Sequence, residues 1–194
     1  MKSDIVLSGV GGQGVLTVGA IIAEAARREG HFVKQGEVHG MSQRGGAVQA
    51  FLRISDRPIH SDLIPAGTGD LIVSLEPIEA LRYIQYLGPQ GTLVTAIDAF
   101  ANIPDYPPRE RVLGMLQKLP RVFAIEAVAL AQKAGSPQIV NSVMVGAASE
   151  FLPIRAEILE ACVREGFASK GEHVVAANLA AYRAGREAVL CEKS

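Results

Sequence analysis

Along this chain, short unbroken apolar runs alternate with stretches whose apolar residues recur every three or four positions. Residues 4–8 form an apolar run stopped by glycines, which predicts a buried strand. Beyond Gly14, Val15, Val18, Ile22 and Ala25 fall on one helical face, Arg27, Arg28 and Glu29 are polar, and Gly30 suits the end of that helix. Residues 31–35 predict a second strand, so the amino end reads as a β-loop-α-β unit. Residues 47–55 alternate as a strand, and the turn at Asp56-Arg57-Pro58 makes residues 59–63 its expected hairpin partner. Further strands are expected over 71–75, 91–97 and 121–125. Helices are expected over 77–87, 109–119, 138–150, 155–165 and 172–192, with another ending near Gly135. The stripe Val175, Leu179 and Tyr182 on the last helix is expected to face the core. The pattern predicts one α/β domain over residues 1–194: three layers, Rossmann-like, with a mostly parallel but mixed sheet and a helical C-terminal part.

Composition narrows the function classes. Of 194 residues 48% are hydrophobic, and 19 basic against 20 acidic side chains leave a net charge of −1. No overall positive field exists to hold nucleic acid or an anionic membrane. Residues 5–23 carry no charge, but Gly9, Gly11, Gly12, Gly14 and Gly19 lie among them, which argues against a spanning helix or an export signal. The two cysteines, Cys162 and Cys191, are too few to hold an iron–sulfur cluster alone or to make a disulfide framework, and point to a reducing cytoplasm. His31, His39, His60 and His173 share no metal-ligand spacing.

Candidate chemistry concentrates in two loops. Gly9-Val10-Gly11-Gly12-Gln13-Gly14 fits G-x-G-x-x-G between a strand and a helix, where free N–H groups and the helix dipole attract an anion. The first glycine permits the turn, the second lets a phosphate approach, and the third lets helix and strand pack. The same turn serves equally as a packing device. The Gln13 amide is expected to point toward whatever binds. For a dinucleotide, an acidic residue is wanted at the end of the second strand; Gln35 stands near that place and Glu37 slightly beyond it. The second loop is His39-Gly40-Met41-Ser42-Gln43-Arg44-Gly45-Gly46. Arg44 beside two glycines suits a phosphate or carboxylate guest, or pairs with a neighbouring acid.

Together the two loops resemble the gamma-type domain of 2-oxoacid:ferredoxin oxidoreductases, and the indolepyruvate type in particular. The resemblance runs on through Gly69-Asp70, Leu75-Glu76-Pro77, Glu79-Ala80, Asn141 and Gly146-Ala147. It implies a small subunit without a redox centre, working in a hetero-oligomer. The large partner would carry thiamine diphosphate and iron–sulfur clusters, oxidatively decarboxylate an arylpyruvate-type 2-oxoacid, pass electrons to ferredoxin and give an acyl-coenzyme A. On that reading this chain binds no cofactor alone. Gly9, Gly11, Gly12, Gln13, Gly14, Ser42, Gln43, Arg44, Gly45 and Gly46 meet a coenzyme A phosphate or a carboxylate at the subunit seam. The alternatives are a free-standing NAD-binding protein and a scaffold that binds no ligand. Glu76, before Pro77, is expected to cap a helix, and Asp70 to be a turn or cap residue. Asn141 either hydrogen-bonds a loop or faces the partner. No residue is assigned a catalytic role, and no metal is expected.

Overall fold

The computed structural model describes residues 1–39, 45–101 and 105–193. A six-stranded sheet forms its middle layer. Its strands are β1 (Lys2–Val10), β2 (Phe32–His39), β3 (Ala47–Ser55), β4 (Gly69–Ser74), β5 (Leu87–Ala96) and β6 (Val122–Ile125), in the order β2-β3-β1-β4-β5-β6. β1, β4, β5 and β6 are parallel to one another, whereas β3 is antiparallel to both β1 and β2.

Alternation along the strands explains the layers. Ile5 and Leu7 of β1, Leu71 and Val73 of β4, and Val94 and Ala96 of β5 enter the larger core. That core also takes α1 (Val15–Arg28), α4 (Ala127–Lys133), α5 (Val140–Ala148), α6 (Ala156–Gly166) and α7 (Glu172–Lys193). Val6, Phe51, Ile72 and Leu93 point the other way, into a smaller core closed by α2 (Pro77–Arg82) and α3 (Arg109–Leu116). Val175, Leu179 and Tyr182 are buried, as expected of a core stripe.

The expected hairpin between residues 47–55 and 59–63 does not form. Both edges of β3 are already occupied, by β1 and β2. Residues 59–63 instead cross one face of these strands and are tied down by side chains. Arg53 Nη1 donates to Ser61 O and Leu63 O at 3.0 Å each, and Lys34 Nζ donates to His60 O at 3.1 Å. The helix expected over 77–87 is also shorter: α2 ends at Arg82, and Leu87 already opens β5. Pro89 disfavours a helical Gly88, which keeps this stretch extended. Asp70 lies inside β4 rather than in a turn, and its Oδ2 accepts from Asp4 N at 2.8 Å. Two helices cross in near backbone contact at Gly146 of α5 and Gly185 of α7. A Cβ on either would overlap a carbonyl oxygen of the other helix, Tyr182 O or Val143 O.

Candidate functional site

β1 and β4 both end where two loops and the start of α1 meet. The φ of +83° at Gly14 turns the chain into the helix, and Gly12, at +101°, has open space beside it. The second loop returns to the first by main-chain bonds. Gly11 N donates to Gly46 O at 2.8 Å, and Gly45 N donates to Gly11 O at 3.2 Å. Gly11 of the first motif and Gly45–Gly46 at the end of the second therefore form one rim on the carboxyl edge of the sheet. Ser42, Gln43 and Arg44 lie outside the described residues.

Several expected donors have other employment. Gln13 does not reach outward. Its Oε1 accepts from Val10 N at 2.8 Å, and its Nε2 donates to Leu75 O at 3.1 Å. It thus braces the ends of β1 and β4, a position that satisfies an amide that β1 leaves unpaired as it turns. The N–H groups of Gly11 and Gly45 are spent on the seam, and that of Gln13 on Val10 O at 3.0 Å. Gly12 N and Gly14 N donate to no partner among the described residues. Gly14, too, differs from expectation: its missing Cβ makes room for the Asn141 carboxamide, whose Cγ would lie 3.1 Å from such an atom. Replacing Gln13 by Ala is expected to lower stability by about 1–3 kcal/mol, because Val10 N is left unsatisfied. The urea midpoint measures it, and an unchanged midpoint would mean the brace is dispensable.

Two small cavities adjoin the rim. One, about 260 Å³, is lined by Gly12, Gln13, Asp98, Gln138 and Asn141. Asp98 Oδ2 accepts from Val128 N at 2.9 Å, at the start of α4. The other, about 210 Å³, lies beside Gly45 and Gly46 and is lined by Glu76, Glu79, Arg82 and Tyr106. Glu76 is buried and caps α2 as expected, its Oε2 accepting from Glu79 N at 2.9 Å, while its Oε1 accepts from the Tyr106 hydroxyl. Burial raises the Tyr106 pKa, and its bond to the Glu76 carboxylate raises it further. Burial likewise pushes the Glu79 carboxyl up, offset in part by Arg82, whose Nε stands 3.1 Å from Oε2. Both cavities thus carry carboxylates, Asp98 in the first and Glu76 with Glu79 in the second, where Arg82 is also present.

Asp98 and Gln138 are lining residues that belong to neither glycine motif. Asp98 was legible as the polar residue just past a strand's carboxyl end, where ligands gather in open α/β sheets. Gln138 carried no such signal. Glu37 lies within β2 and not beyond its end. β3 stands between β2 and β1, so Glu37 is two strand spacings from the glycine turn, where a dinucleotide site needs one.

Known proteins resemble this chain in sequence and fold. The family model for pyruvate ferredoxin/flavodoxin oxidoreductase matches residues 4–188. Indolepyruvate oxidoreductase subunit IorB of Archaeoglobus fulgidus is 39% identical over 194 residues, covering 95% of this chain and 94% of that one. The gamma subunit of a keto/oxoacid ferredoxin oxidoreductase from Geobacter sulfurreducens superposes with a TM-score of 0.72 at 26% identity, covering 97% of this chain and 99% of that one. A likeness of fold alone, with a TM-score of 0.78 at 24% identity, links 98% of this chain to 31% of a chain of the 2-oxoglutarate:ferredoxin oxidoreductase of Magnetococcus marinus, solved with 2-oxoglutarate, coenzyme A and succinyl-CoA bound. The chain belongs to the pyruvate ferredoxin/flavodoxin oxidoreductase family. Its end-to-end matches are to single subunits of such enzymes, so the class is that of a gamma-type small subunit. Among the described residues no helix is long and apolar enough to cross a membrane.

Proposed function

We propose that this chain is the small subunit of a 2-oxoacid:ferredoxin oxidoreductase of the indolepyruvate type, and that its two-loop rim receives a phosphate of coenzyme A. The named relatives support the enzyme class and the arylpyruvate substrate. The coenzyme named for the Magnetococcus enzyme supports the ligand. The observation that carries the reading is the main-chain seam of Gly11 with Gly45 and Gly46, which brings both motifs to one edge. Gly9 sets the turn. Its missing Cβ leaves room for Val15, whose Cγ2 would lie 2.8 Å from such an atom, and for the Gln13 amide. Gly12 and Gly14 offer backbone N–H groups, and Gly45 and Gly46 shape the far side. Ser42, Gln43 and Arg44 complete the site, Arg44 as the cation for the phosphate.

The partner is a large subunit carrying thiamine diphosphate and iron–sulfur clusters, in a cytoplasmic hetero-oligomer that passes electrons to ferredoxin. Thiamine diphosphate there supplies the electron sink for decarboxylation. This chain holds no redox centre; it holds the coenzyme's charged end and orients it toward the partner. A nicotinamide dinucleotide is disfavoured by the displacement of Glu37 from the glycine turn. The test is Arg44→Ala in the assembled enzyme. The KM for coenzyme A is expected to rise about tenfold or more, the loss of a charge-assisted bond, with assembly intact. An unchanged KM would remove the phosphate role.

A further inference from the structure

β2 is the outermost strand on one side of the sheet and is eight residues long. It pairs with β3 in unbroken register and contains no proline, and its outer main-chain groups have no main-chain partner among the described residues. The opposite edge is blunted by the brevity of β6, four residues; β2 has no such protection. The charges that commonly guard an edge are held within the chain: Lys34 Nζ donates to His60 O at 3.1 Å, and Glu37 Oε1 accepts from Gln35 Nε2 at 2.9 Å. Asp62 lies over the middle of the strand, its Oδ2 2.6 Å from the place a Cβ on Gly36 would take. Its carboxylate is partly buried and, among the described residues, has neither a hydrogen bond nor an ion pair. Because side chains alternate along a strand, Phe32, Lys34 and Gly36 share the face on which Asp62 lies.

We infer that the outer edge of β2 is an interaction surface for a second copy of this chain, joined edge to edge and antiparallel about a two-fold axis at Gln35, so that one sheet runs through both copies. Such an axis sets residues of the same face opposite each other, and with Gln35 facing its own counterpart, Lys34 stands opposite the second copy's Gly36. Opposed Cβ positions lie about 5 Å apart. The carboxylate over Gly36 is that of Asp62, so each Lys34 meets the other copy's Asp62, and the axis makes the pair twice. Charge selects this register. An axis at Lys34 would set the two lysines against each other, and one at Gly36 would bring the two Asp62 carboxylates together. Phe32, 48% exposed in the single chain, is covered by the added strand. The match is that of the strand with itself, which makes the occupant a second copy and not a strand of the large subunit. It is independent of the coenzyme reading.

The test is sedimentation velocity on the full chain, alone and in the assembled enzyme. The chain is expected to sediment as a dimer. Lys34→Glu sets a like charge against Asp62 on both sides of the axis and is expected to raise the dimer Kd about tenfold or more, as is Asp62→Lys. Lys34→Glu combined with Asp62→Lys exchanges the charges and is expected to return the Kd to within about threefold of the parent. That recovery separates a lost contact from a folding defect in either single variant. Gln35→Cys, placed in a Cys191→Ser chain, is expected to close a disulfide between copies, because its two Cβ atoms face each other across the axis. A monomer at every concentration overturns the inference. A dimer that the single charge variants leave unweakened, or one that the exchanged pair does not restore, overturns it as well. So does hydrogen exchange at the amides of residues 32–37 that slows only when the large subunit binds, which would make that subunit the occupant.

Discussion

Gly185→Ala is expected to destabilise the chain by about 3 kcal/mol or more, although alanine is the better helix former by roughly 1 kcal/mol. The reversal comes from the crossing of α5 and α7. A Cβ on Gly185 overlaps Val143 O and lies 2.8 Å from Val143 C, and one on Gly146 overlaps Tyr182 O and lies 2.8 Å from Tyr182 C. These are backbone atoms of a neighbouring helix, so no rotamer change relieves the overlap; the helices must separate. Separation would loosen Tyr182, which is buried and donates to Ala156 O at 2.9 Å, and the buried bond of Ser142 Oγ to Asn178 Oδ1 at 2.6 Å. Gly114 in α3 supplies the control, because nothing lies within 4 Å of its Cβ position. Gly114→Ala should be neutral or gain up to about 1 kcal/mol. Chemical denaturation of the two variants beside the parent decides: a Gly185→Ala chain as stable as the parent would refute the close crossing.

The second large effect is expected at the opposite end of the sheet. Asp4 is fully buried, and Arg53 on the adjacent strand grips it with Nε at 2.8 Å and Nη2 at 3.2 Å. Its remaining cation is Lys2, whose exposed Nζ stands 2.7 Å from Oδ2. Arg53→Ala leaves that carboxylate with one loosely held partner and releases the carbonyls of Ser61 and Leu63 as well. A loss of about 3–5 kcal/mol follows. Replacing both partners by apolar residues, Asp4→Leu with Arg53→Met, should restore much of it, since no buried charge is then left uncompensated. Thermal melts of the single and double variants test this, and a double variant weaker than Arg53→Ala would contradict it.

The parallel strands and most helices were legible because each carries its own period. Ile5 and Leu7 alternate with Val6 whatever the rest of the chain does, and Val15, Val18 and Ile22 define a face locally. What was not legible depends on partners distant in sequence. Residues 59–63 have strand-like composition, but β3 had already given both its edges to β1 and β2. The Gln13 amide looked like a ligand contact because nothing within the motif shows that Leu75 O lies within its reach. Asn141 could be noticed but not placed, since only the folded chain sets it on Gly14. The glycines at 9, 11, 12 and 14 showed where the turn would be; which of their N–H groups stay open depended on a loop more than thirty residues away.

The two bonds that join Gly11 to Gly45 and Gly46 run between main-chain atoms. They are therefore indifferent to the chemistry of the side chains that neighbouring positions display. Such a clasp behaves as a fixed mount with an interchangeable face: evolution can retune which guest is gripped without rebuilding the grip's support. Variation among related subunits should accordingly fall on the displayed side chains, while the bare backbone beneath them stays as it is.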